Sequence, residues 1–253
     1  MENYIVGTID AAQVALYAFW AFFAVLVVYL VREGMREGYP AISEIDGKPI
    51  SKAFIFPRPE PKTFLRRDGS TITVPEPQNE YDLKAEATNA FTGAPVSPTG
   101  DPLVDGVGPA AYALRPEWPD KNHAGEPRIR PMRFDNEFDV AEIDSDPRGF
   151  NVVCADGEVV GQVAEIWVDR AEQIIRYFEV ETSAGLKLVP YNLSLVIAQD
   201  GILQVRSVTA EQFRRAPSIK GADEITLREE DQVMAYFTGG TLYAFASRTE
   251  PLL

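Results

Sequence analysis

The chain has 253 residues, 45% of them hydrophobic and 25% charged, with a formal net charge of −14 from 24 Lys and Arg against 38 Asp and Glu. So acidic a balance argues against nucleic acid as the main partner, because phosphate binding needs a basic face. With one cysteine and one histidine, an internal disulfide and CxxC motifs are excluded, and transition-metal or haem ligation by this chain alone is not expected.

Residues 1–35 read as a short N-terminal segment and a transmembrane anchor, with the helix over about 11–31. Ala11 to Val31 carries no charge, and Gln13 is its one strongly polar side chain. About 21 residues at ~1.5 Å per residue span ~31 Å, the thickness of a bilayer hydrocarbon core. The Val, Leu and Phe residues favour insertion by about 3–6 kcal/mol. A signal peptide would need a basic leader, whereas Glu2 and Asp10 precede the run and no Lys or Arg does. Arg32, Arg36, Lys48 and Lys52 follow it. By the positive-inside rule the short N-terminus lies outside and the rest of the chain in the cytoplasm.

Residues 36–139 are rich in Pro and Gly. Phe56-Pro57-Arg58-Pro59-Glu60-Pro61 favours extended or polyproline geometry. Asp68-Gly69, between Phe64-Leu65 and Thr71–Val74, predicts a hairpin. Little periodicity is visible from Pro75 to Pro109, which points to a segment laid along a partner surface, with a disordered linker as the alternative.

Residues 140–253 change texture to short β runs with turn signals at Ala155-Asp156-Gly157, Ser183-Ala184-Gly185 and Asp200-Gly201. The spacing predicts a small closed or nearly closed β barrel. Cys154 falls in one of these runs as a packing residue. Thr209–Gln212 and Thr226–Glu229 are capping-box patterns that open two helices. The first should end near Pro217 and the second at Gly239-Gly240. The fold class is therefore a single N-terminal transmembrane helix plus a mainly β cytoplasmic domain with short C-terminal helices.

No HExxH, GxSxG or P-loop is present, and Gly106-Val107-Gly108-Pro109 opens no dinucleotide-binding turn. A metal or covalent-catalysis site is thus unsupported, and the chain reads as a non-enzyme. What remains are carboxylates. Asp169, Glu172, Glu179 and Glu181 crowd one expected strand pair and its turn, with Arg170 and Arg176 among them. Such groups can share a proton near neutral pH or form a salt-bridged, solvated face. Lys121, His123, Glu126, Arg128, Arg130 and Arg133 form a second polar group, suited to lipid headgroups or to a partner's acidic residues.

Several strings line up in order along the chain. They include Arg36-Glu37-Gly38-Tyr39-Pro40, Pro61-Lys62-Thr63-Phe64, Pro98-Thr99-Gly100-Asp101-Pro102 and Asp105-Gly106-Val107-Gly108-Pro109-Ala110. Ile166-Trp167-Val168-Asp169-Arg170 and Ile225-Thr226-Leu227-Arg228-Glu229-Glu230-Asp231 follow. Behind a single N-terminal helix, this order resembles the H subunit of the purple-bacterial photosynthetic reaction centre over nearly the whole chain.

The resemblance implies a PRC-type barrel in the cytoplasmic part. It also implies a complex with the L and M subunits, core light-harvesting antenna polypeptides, membrane lipids and, where a complex carries one, a tetrahaem cytochrome subunit. The complex would hold bacteriochlorophyll, bacteriopheophytin, quinones, carotenoid and non-haem iron, none of them bound by this chain alone. The implied role is to cap L and M and to help protons reach the secondary quinone. Matching the Trp-Val-Asp run carries the family's proton-path glutamate onto Glu172 and its neighbouring arginine onto Arg176, with Asp169 near the same path. In some members protons enter through a histidine-bearing loop shortly before an Ile-basic-Pro-Met string. Here that string is Ile129-Arg130-Pro131-Met132, and Asp120 and His123 are the residues upstream of it that the resemblance points to. Outside the resemblance, a membrane-tethered adaptor docking a cytoplasmic partner, or more remotely a hydrolase with paired carboxylates, fits the same composition.

Overall fold

The computed structural model describes residues 4–6, 9–36, 38, 41–42, 49–50, 59–75, 82–91, 93–135 and 137–249. The flanking Lys48 and Lys52 and the expected polyproline run at 56–58 lie outside them. The chain divides into two compact units, Met1–Asp82 with Phe91–Gly93, and Leu83–Ala90 with Ala94–Leu253.

In the first unit, β1 (Tyr4–Val6) pairs with β2 (Ile9–Asp10), which leads into α1 (Ala11–Gly34). Among the described residues α1 is the one helix long and apolar enough to cross a membrane. It runs three residues past the expected end, through Arg32, whose charge suits the negative C-terminal end of a helix. Gln13, the lone polar residue of the run, belongs to the cap. Asp10 Oδ1 accepts from Gln13 N at 2.8 Å, and Asp10 N donates back to Gln13 Oε1 at 3.4 Å. Its polarity therefore satisfies helix-end amides.

Two residue pairs, β3 (Ala41–Ile42) and β4 (Pro49–Ile50), form a small ladder. Then β5 (Lys62–Leu65) and β6 (Thr71–Val74) make the expected hairpin about Asp68-Gly69. The hairpin is fastened to the end of α1. Arg36 meets Glu33 through Nε–Oε2 at 2.8 Å and Nη2–Oε1 at 2.9 Å, and Lys62 Nζ lies 3.1 Å from Glu33 Oε2.

In the second unit, β7 (Ala85–Ala87) pairs with β8 (Val96–Pro98), and α2 (Pro102–Asp105) follows with Asp101 as its cap. The stretch expected to lie on a partner surface is thus partly internal. Leu103, Val107 and Ala110 are buried within this chain.

The main sheet has β9 (Ile129–Pro131), β10 (Asn151–Val153), β11 (Val159–Asp169), β12 (Ile174–Thr182), β13 (Gly185–Pro190), β14 (Ser194–Ile197) and β15 (Ile202–Val205). Its order is β13-β12-β11-β10-β15-β14, with β9 also on β11. β11 is long enough to hold β10 along its first half and β9 along its last three residues, with β12 on the opposite edge. Every residue from Ile166 to Asp169 is buried, so both faces of β11 are covered there. The turn at Tyr191–Leu193 joins β13 directly to β14, but among the described residues no ladder links them, so the barrel is open at that seam.

Both predicted capping boxes form, at the start of α3 (Ala210–Arg214) and α4 (Leu227–Tyr243). The expected stop of the second helix at Gly239-Gly240 is wrong: α4 runs through both glycines. They are contact points instead. A Cβ on Gly239 would come within 2.5 Å of Ala110 Cβ and 2.9 Å of Leu103 Cδ2, and one on Gly240 would collide with Ser207 O. Close approach, not chain termination, is what these glycines permit. The core centres on Trp167, Phe178, Phe213 and Phe237, with Phe213 and Phe237 edge to face at 5.6 Å. Cys154 is buried just past β10, as its apolar setting predicts.

Candidate functional site

The turn between β11 and β12 is built around one buried carboxylate. Asp169 ends β11 with no exposed surface. Its Oδ1 accepts from Ala171 N and Glu172 N, each at 3.0 Å, so its side chain shapes the turn that presents Glu172. Gln173 completes that turn in the left-handed region, with φ 58°.

The register of β9 on β11 brings basic residues to this carboxylate. Asp169 sits opposite Ile129, and Arg128 immediately precedes it. Arg128 Nε lies 2.9 Å from both Asp169 oxygens and Nη2 lies 2.8 Å from Oδ2. The same Nη2 contacts Glu172 Oε1, and Nη1 reaches Asp120 Oδ2 at 3.4 Å. Arg176 closes the group from β12, with Nε 3.3 Å from Asp169 Oδ2 and Nη2 3.5 Å from Glu172 Oε2. Burial alone would raise the Asp169 carboxyl. Hydrogen bonds from Arg128 and from the Glu172 and Ala171 amides outweigh it and hold the carboxyl below its usual range. Asp169 is therefore a fixed anion that binds two arginines and does not exchange protons near neutral pH. Glu172 is about half exposed and open to water.

Four of the five residues singled out from sequence thus come together: Asp120, Asp169, Glu172 and Arg176. His123 does not join them. It is exposed in the loop closed by the Lys121–Pro127 bridge, and its side chain makes no hydrogen bond or ion pair among the described residues. Glu179 and Glu181, expected in the same crowd, are elsewhere. Glu179 faces Glu165 across the ladder, and its carboxylate accepts from Arg133 Nη1 at 2.9 Å and Trp167 Nε1 at 2.8 Å. Glu181 stands opposite Gln162 and is exposed. Arg170 turns away to Glu126 and Asp135, each at 2.6 Å.

Two residues of the site were not recognised from sequence. Arg128 was grouped with exposed polar residues, because its pairing with Asp169 depends on strand register. Glu230 was hidden in the acidic run at the start of α4, whose three members have different jobs. Glu229 is spent on the cap, accepting from Thr226 N at 2.9 Å and Lys220 N at 2.7 Å. Asp231 accepts from Ala113 N at 2.9 Å. Glu230 lines a cavity of about 300 Å³ together with Arg115, Arg176, Tyr177 and Asp231. Burial pushes its carboxyl up to about 7, against the pull of Arg115 and Arg176. The helix period does not set it apart, since Glu229 as well as Glu230 lies one turn from the buried Val233. Arg176 belongs both to the Asp169 cluster and to this cavity, so it pairs with the exposed Glu172 and lines the same cavity as Glu230.

Among the described residues no group of three or more His, Cys, Asp or Glu side chains is arranged to hold a metal ion. Comparison with known families matches residues 3–134 to the photosynthetic reaction centre H-chain N-terminal region and residues 140–212 to the PRC-barrel domain.

Proposed function

From the premise that the chain belongs to the photosynthetic reaction centre H-chain family, we propose that it caps L and M on the cytoplasmic side and passes protons toward the secondary quinone through Glu172. One observation carries this reading: Glu172 and Glu230 both lie beside Arg176, the first open to water and the second with a carboxyl near neutral pH. A relay needs groups that gain and lose protons at ambient pH, held in place by groups that do not. Glu230 suits the first role and Asp169 the second. Arg128 and Arg176 each bridge Glu172 to Asp169, and the two carboxylates in turn leave neither arginine charge unpaired.

In this reading Asp120 steadies Arg128 at the outer end of the group, and His123 stands beside the path, exposed to solvent. The membrane orientation follows from charge: Arg32 and Arg36 flank the C-terminal end of α1, so the N-terminus is periplasmic and the carboxylate-rich unit cytoplasmic. Pigments, quinones and iron belong to L and M, and this chain supplies binding surface and proton-carrying side chains. The antenna polypeptides, lipids and any cytochrome subunit are neighbours of the same complex.

The test is flash spectroscopy on the assembled complex. Glu172→Gln should slow proton-coupled transfer of the second electron to the quinone while leaving primary charge separation unchanged. The Glu172→Gln, Glu230→Gln double variant should be slower still. An unchanged second-electron rate in the double variant removes this relay.

A further inference from the structure

We propose that the cavity bounded by Arg206 and Arg248, on the C-terminal side of α4, binds a phosphate group. The cavity has a volume of about 480 Å³ and lies between β14, β15 and the end of α4, with Gln204, Ser207 and Asn192 also on its wall. Among the described residues no carboxylate lines it. That matters in a chain with a net charge of −14, where Arg128, Arg133, Arg148, Arg170 and Arg176 are all paired with Asp or Glu. Arg206 and Arg248 form no salt bridge among the described residues, so the cavity concentrates two uncompensated positive charges.

Among the described residues, both guanidinium groups are held while keeping donors free. Arg206 Nε donates to Gln204 Oε1 at 2.8 Å, which leaves both of its Nη groups and the Gln204 amide nitrogen uncommitted. Arg248 Nη1 donates to Arg206 O at 3.0 Å and to Gly240 O at 3.4 Å, while its guanidinium stacks over the Phe245 ring at 4.9 Å. Its Nη2 stays free. Part of the Arg248 charge is engaged by the carbonyl end of α4, which makes Arg206 the stronger of the two anion ligands.

The chemistry favours phosphate. Planar guanidinium forks match its oxygens in pairs, and the Gln204 amide adds a donor beside them. The volume falls in the range of small-molecule sites and leaves room for a substituent on the phosphate. Two sources offer the group: free phosphate or its small esters, and the headgroup of an anionic phospholipid.

The test uses the full chain in maltoside detergent, titrated by calorimetry with inorganic phosphate, with glycerol 3-phosphate and with short-chain phosphatidylglycerol. One saturable site is expected for at least one probe, and it should weaken as salt rises. Arg206→Gln should weaken that binding about tenfold or more, and Arg248→Gln should weaken it less. Because the Arg206 side chain has its one hydrogen bond among the described residues with Gln204, Arg206→Gln should leave the circular dichroism spectrum unchanged, which separates lost binding from lost folding. Binding of inorganic phosphate or glycerol phosphate identifies a soluble ligand, and binding of the lipid alone identifies a headgroup. Absence of saturable binding by all three probes, or binding that survives Arg206→Gln, overturns the proposal.

Discussion

Arg128 and Asp169 are joined edge to edge across the β9–β11 ladder, with Nε 2.9 Å from both carboxylate oxygens and Nη2 2.8 Å from Oδ2. This pair sets the geometry of the whole site. The carboxylate simultaneously shapes the turn that bears Glu172 and receives Arg176 from β12.

Asp169→Asn should destabilise the chain by about 3 kcal/mol, because it removes one partner of a buried pair and leaves two arginines facing each other. Denaturant unfolding of the full chain in detergent measures this. The depressed Asp169 carboxyl also gives the sign of the acid response. Its contribution is present above the unfolded aspartate value of about 3.9 and is lost as pH falls through the lower folded value. The variant should therefore converge on wild type in acid. A constant gap down to the lowest pH at which the protein folds would rule this origin out.

Glu230 has the opposite sign. Burial raises its carboxyl to about 7, with Asp120 adding to the rise and Arg115, Arg176 and Arg128 opposing it. Between the unfolded glutamate value of about 4.3 and the folded one, the folded state binds the extra proton, so stability falls as pH climbs through that window. Glu230→Gln should flatten the fall. Melting temperatures at about pH 5 and about pH 8 are the readout, and wild-type and variant curves of equal slope would refute the assignment.

Gly239→Ala tests the contact of α4 with the segment after α2. Alanine favours a helix over glycine by roughly 1 kcal/mol, yet its Cβ would overlap Ala110 and Leu103. Overpacking costs about 1–3 kcal/mol, so the net effect should be a lower melting temperature. A rise would mean that the segment yields freely.

Cys154 should behave as an inert thiol. Burial pushes it up to about 12, with Asp156 adding to the rise, and only the thiolate is nucleophilic. Iodoacetamide should leave the native chain unmodified in mildly alkaline buffer and label it at once in denaturant. Rapid labelling of the native form would show that the β10 end opens.

Local chemistry made much of this protein legible in its residues alone. The uninterrupted apolar run declared α1, Asp68-Gly69 declared its hairpin, and the Thr–Gln and Thr–Glu spacings declared α3 and α4. Each signal lies within a few neighbouring residues, where backbone geometry acts directly. Glu172 and Arg176 were found because they flank one turn, though their assignment to a proton path came from resemblance. Tertiary structure alone decided that Arg128, 41 positions away, would meet Asp169. It also decided that Glu179 would leave that group for Arg133, and that Glu230 rather than its neighbours would line the cavity. Strand register and helix rotation determine which charges meet, and a shift of one residue in β9 on β11 would face Asp169 with a different partner. The same reason explains Gly239 and Gly240. Read locally they look like a helix end, and only the surface pressed against them reveals that α4 continues.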